Sequence, residues 1–132
     1  MLYTVEAKGD LEAVCTALQA AVTRHQFGVL HVHDLNETLA RKGAEFGPRC
    51  RIFEVCNPQQ AKRVLEQNLA ISTALPCRIS IYAQDDRVTL ATIRPGMMVE
   101  MFGEPNLAPV AQEVEAAIIA IMDEAAGKER AA

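Results

Sequence analysis

Two runs rich in β-formers, residues 77–83 and 87–94, are separated only by Gln84-Asp85-Asp86. A connection that short joins antiparallel neighbours, because a parallel crossover needs about a dozen residues or more. This hairpin favours an α+β layer built on a mainly antiparallel sheet.

The other elements follow from hydrophobic periodicity. Residues 2–7 alternate and suit a short strand, closed by Gly9. Asp10 fits a helix N-cap, and Leu11, Val14, Cys15, Leu18, Ala21 and Val22 then mark one apolar helix face. Residues 27–34 and 50–56 read as strands, with a short helix over 36–42 stopped by Gly43. Asn57-Pro58 is the sharpest local signal: Asn57 suits the N-cap, Pro58 the first helical position, and Gln60 can reach back to close a capping box. That helix fades near Asn68, and residues 69–75 form an apolar connector packed on the core. Residues 97–105 read as irregular, and Asn106 is expected to cap a long final helix. Residues 127–132 are expected to fray.

The expected architecture is α+β: a curved, mainly antiparallel sheet with helices on one face. With the short helices taken as insertions, its order is β-α-β4-α. No repeat or low-complexity linker interrupts the 132 residues, so residues 1–132 read as a single domain.

Charge and composition narrow the function classes. Lys and Arg number 13 against 17 Asp and Glu, for a formal charge of −4. Nucleic-acid binding normally rests on a basic surplus that neutralises phosphate, so no nucleic-acid partner is expected. With no Trp, 2 Tyr and 4 Phe, a base-stacking stripe is not expected either. No basic amphipathic stretch points to a membrane surface. The first residues, Met1 to Glu6, lack the pattern of a signal peptide, so the four cysteines read as reduced thiols and the cytoplasm as the expected compartment.

Strand parity separates two sheet faces. Leu30, Val32, Phe53, Val55, Ile79, Ile81, Val88 and Leu90 are expected to face the helices. Val29, His31, His33, Cys50, Ile52, Glu54, Cys56, Arg78, Ser80, Tyr82, Thr89, Ala91 and Ile93 fall on the other face. The second set alone lets reactive side chains converge. His31 and His33, two apart on a strand, stand roughly 6–7 Å apart on one face and can share a divalent metal. Such a site needs further ligands, for which Glu54 and Cys56 are the candidates.

Cys50 and Cys56 lie roughly 20 Å apart along a regular strand, too far for a disulfide. Cys56 precedes a helix start, where the dipole favours a thiolate. No nucleophile elbow and no Gly-rich phosphate loop is present. Met97 and Met98, with Met101 and Phe102, form an adaptable apolar cluster suited to a partner or a greasy ligand.

Two stretches carry a family resemblance. One is Val55-Cys56-Asn57-Pro58, followed by Ala61, Leu65 and the connector to Leu75-Pro76. The other is Arg78-Ile79-Ser80-Ile81-Tyr82, a turn, then 88–95. With residues 30–35 they resemble the bacterial and archaeal "domain of unknown function 302" family. The resemblance implies a compact α+β fold of the TATA-box-binding-protein-like class, without importing DNA binding. Cys56 and Cys77 depart from the small or apolar residues more usual at those places.

Together these readings point to a non-enzymatic module that binds a small ligand or partner and acts as a homodimer. Its ligand-binding candidates are His31, His33, Glu54, Tyr82, Met97 and Met98. The alternative is a metal- or thiol-dependent site at His31, His33, Glu54 and Cys56. No other cofactor is evident.

Overall fold

The computed structural model describes residues 1–128. Its strands are β1 (Leu2–Ala7), β2 (Gly28–Asp34), β3 (Cys50–Cys56), β4 (Cys77–Gln84) and β5 (Arg87–Ile93). Its α-helices are α1 (Leu11–Arg24), α2 (Leu35–Arg41), α3 (Pro58–Gln67), α4 (Met97–Phe102) and α5 (Ala108–Ala126). Two 3-10 turns, Leu69–Ala74 and Pro105–Leu107, complete the order. The sheet runs β1-β5-β4-β3-β2, every neighbouring pair antiparallel. Setting α2, α3 and α4 aside as insertions leaves the expected β-α-β4-α order.

Local chemistry sets the element ends. Asp10 Oδ1 accepts the Ala13 N–H at 2.8 Å and opens α1. The β4–β5 turn is tighter than the sequence suggests: Gln84 belongs to β4 and pairs with Arg87. Only Asp85 and Asp86 remain in the loop, both left-handed at φ +53° and +62°. That is the primed two-residue turn whose twist matches a hairpin, and aspartate tolerates its backbone.

One side of the sheet is the core. Phe53, Val55, Ile79, Ile81 and Leu90 project from it and are buried. They meet the apolar stripes of α1 (Leu11, Val14, Leu18, Val22) and α5 (Val114, Ile118, Ile121). Tyr3 reaches the same side and donates its hydroxyl to the buried Asp123 carboxylate of α5. That bond satisfies a polar group that would otherwise be costly to bury.

Three expectations are corrected. Val29 pairs with Val55 and His31 with Glu54, so a β-bulge leaves Leu30 as the extra residue. Leu30 is 61% exposed instead of facing the helices, and Val29 takes its place against the core. Residues 97–102 are helical rather than irregular, with Met98 buried and Gly103 closing the turn at φ +61°. Asn106 does not cap α5; it lies in the 3-10 turn Pro105–Leu107, which runs into the helix without a side-chain cap. Of the tail expected to fray, Gly127 and Lys128 donate to the Glu124 and Asp123 carbonyls, and 129–132 lie outside the described residues.

Candidate functional site

The open sheet face carries the polar candidates. His31 pairs with Glu54 and Glu54 with Arg78, while His33 pairs with Ile52 and Ile52 with Ser80. The two imidazoles meet edge-on, with ring centroids 4.3 Å apart. His33 Nε2 lies 2.9 Å from Glu54 Oε2, and Arg78 Nε lies 3.8 Å from the same oxygen. The His33 hydrogen bond is the main cause holding the Glu54 carboxyl below its ordinary value, against the opposing effect of burial. Histidine, carboxylate and guanidinium therefore form a chain of polar contacts along the face.

The other candidates lie elsewhere. Tyr82 pairs with Cys50 and Thr89, nearer the Asp85-Asp86 turn. Met97 and Met98 belong to α4. Cys56 pairs with Gly28 at the far end of β3, away from His33, which pairs with Ile52. Among the described residues, no group of three or more His, Cys, Asp or Glu side chains is placed to hold a metal ion. Burial raises the Cys56 thiol above its ordinary value, the opposite direction from the reactive thiolate weighed for it. Burial, with a smaller contribution from Cys56, pushes the Cys77 thiol up to about 11.

The structure places a cavity where the sequence showed only a helix start. Asn57 Oδ1 accepts from the Gln59 and Gln60 N–H groups at 3.1 and 3.2 Å, and Pro58 occupies the first turn. So capped, α3 stands against the sheet end with Ala61, Val64 and Leu65 on one stripe. The connector through Leu75 and Pro76 stands beside it, and Met98 contributes from α4. Between them lies a cavity of about 250 Å³.

Its walls are almost wholly apolar, but Gln60 lines it, and Gln60 Oε1 is buried with no hydrogen-bond partner. Gln60 therefore leaves the capping box open on its side-chain end. Cys56 and Cys77 both border the cavity. A second cleft of about 300 Å³ shares Leu75, Pro76, Cys77 and Met98 with it. That cleft adds Ile93, Met97 and Met101 and two cations, Arg78 and Arg94.

Sequence reasoning missed Gln60, Val64 and Leu75 as site residues. The one available signal was the apolar stripe of α3 beside an apolar connector, which reads equally well as packing. Met98, named from composition, does reach the cavity.

Fold and site together define a small α+β domain with one uncovered sheet face and an apolar cavity under α3. The family model described as "Domain of unknown function DUF302" matches residues 3–125, and the chain belongs to that family. It is similar to the crystal structure of an uncharacterized conserved protein DUF302 from Bacillus stearothermophilus, at 32% identity. That likeness covers 94% of this chain and 97% of the other, with a TM-score of 0.89. No curated protein matches the chain.

Proposed function

We propose that this chain is a non-enzymatic binding module whose ligand is a small, largely apolar molecule seated beneath α3. The cavity carries this reading. Partly open to solvent and about 250 Å³ in volume, it has room for a molecule of about benzene size, which an engineered cavity of roughly 150 Å³ admits. Gln60 on its wall keeps a buried side-chain oxygen without a hydrogen-bond partner, a polar group left unsatisfied beside the cavity.

The test is a titration with 1-hexanol, followed by amide NMR shifts of Gln60 and Val64. Saturable shifts are expected, and Ala61→Leu, which fills the cavity from α3, should abolish them. Absence of saturable shifts, or shifts indifferent to Ala61→Leu, would sink the reading.

A second copy of the chain is the proposed partner, across the uncovered sheet face. Leu2 and Ile93 are registered neighbours and remain 59% and 61% exposed, beside the small residues Thr4, Ala91 and Ser80. The four free cysteines suit a reducing compartment such as the cytoplasm. Sedimentation equilibrium at micromolar concentration should show a dimer, and Ala91→Arg should give monomer. A wild-type monomer would overturn the dimer.

A further inference from the structure

The cavity beneath α3 has a floor and a rim. Phe27, Val55 and Val64 line it and are buried. Leu30 lines it too, yet is 61% exposed. A side chain that borders a cavity and shows most of its surface to solvent stands where the cavity opens.

The bulge puts Leu30 there. β2 is an end strand of the sheet, and Leu30 is the residue left over between the Val29–Val55 and His31–Glu54 pairs. Val29 takes the inward place against the core, which releases Leu30 from it. Bulges re-aim side chains in this way beside functional sites. A bulge also guards an edge strand against pairing with another chain, but that role is served as well by a polar residue. An aliphatic side chain kept in solvent at the rim of an apolar cavity is instead a surface that a ligand can complete.

From this juxtaposition we infer that Leu30 is the specificity-determining lip of the cavity. It covers the outer part of a bound apolar chain, so the site favours chains long enough to reach from the buried floor to the bulge. The inference rests on the cavity reading above and adds the residue that selects the ligand by length.

A short and a long alcohol, 1-butanol and 1-octanol, test it through the amide shifts of Val64. Each is titrated into the wild type, Leu30→Thr and Leu30→Met. Threonine keeps a strand-forming residue at the bulge, and methionine restores an apolar side chain of similar reach. With Leu30→Thr, octanol affinity should fall about fivefold, the factor for uncovering roughly half a leucine side chain, and butanol affinity by less than about twofold. With Leu30→Met, both affinities should stay near those of the wild type.

Unchanged octanol affinity in Leu30→Thr, or an equal loss for both alcohols, overturns the lip and leaves the cavity reading standing. A loss shared by Leu30→Met also overturns it, because the cause is then a displaced bulge and not the apolar surface of residue 30. No saturable Val64 shift with either alcohol in the wild type overturns the inference and the cavity reading together.

Discussion

His33 and Glu54 meet across the β2–β3 pair, Nε2 to Oε2 at 2.9 Å, although Glu54 lies two residues along β3 from the register partner of His33. His33 is opposite Ile52, and the side chain reaches diagonally to its neighbour's partner. The contact draws the Glu54 carboxyl below its ordinary titration range. Direct carboxyl NMR titration should show this depression, and His33→Ala should move the midpoint back up. Because the folded value is the lower one, the contribution to stability is complete above the unfolded carboxylate pKa. It is lost as pH falls through the folded value. A Glu54 midpoint unchanged by His33→Ala would remove the contact as its cause.

A stronger acid-sensitive contact ties α1 to β3. Glu12 receives hydrogen bonds from Arg51 Nη1 at 3.0 Å and Arg49 Nη2 at 2.9 Å. The two guanidiniums, Arg51 foremost, lower its pKa to about 2 from an ordinary 4.5. The stabilisation is therefore present above about pH 4.5 and fades towards pH 2. Glu12→Gln should flatten the dependence of stability on pH across that window while changing it little near pH 4.5 to 7 in slope. Denaturant unfolding at a series of pH values measures it, and an identical slope in both proteins would refute the assignment.

The bulge at Leu30 separates two substitutions that strand parity treats alike. Leu30 and Ile79 were both expected to face the helices, but Leu30 is the extra residue of the bulge and Ile79 is fully buried. Ile79→Ala should cost about 2–5 kcal/mol in denaturant unfolding, the range for truncating a buried aliphatic. Leu30→Thr should stay within about 0.5 kcal/mol, as surface changes do. Equal costs would place Leu30 in the core after all.

The same residue shows where sequence legibility ends. Alternation along β3, β4 and β5 sorted Phe53, Val55, Ile79, Ile81 and Leu90 to the correct face, because most of their neighbours are polar or small. In β2, Val29 and Leu30 are consecutive aliphatics, so either can point inward, and the choice is made by pairing with β3. Residues 97–102 hide their helix for a related reason. Met97, Met98, Val99, Met101 and Phe102 are apolar nearly all round, and no side chain caps the start at Gly96. The cavity was illegible because a void depends on how α3 and the connector stand apart, which no spacing along the chain encodes. The Asn57-Pro58 start was legible because its chemistry is local.

That cap carries a prediction of its own. Asn57 Oδ1 satisfies two backbone donors at the mouth of α3, and α3 forms one wall of the cavity. Asn57→Ala should destabilise the fold by about 1 kcal/mol, and Asn57→Asp should recover most of it. Thermal unfolding reads both. Two variants equally destabilised would point to packing of Asn57 rather than capping.

Cys77 provides a chemical probe of the cavity wall. Burial and, to a smaller extent, its Cys56 neighbour raise its thiol to about 11, so at neutral pH almost none of it is the reactive thiolate. Comparing the folded protein with its Cys77→Ser variant isolates the reaction of this thiol. Its reaction with an aromatic disulfide reagent should be slow near pH 8 and keep accelerating towards about pH 11 without an earlier plateau. A cavity filled with 1-hexanol should slow it further, because Cys77 lines the cavity. A plateau near the ordinary thiol pKa of about 8.5 would show that Cys77 is open to water. The wall between the two compartments would then be looser than the structure places it.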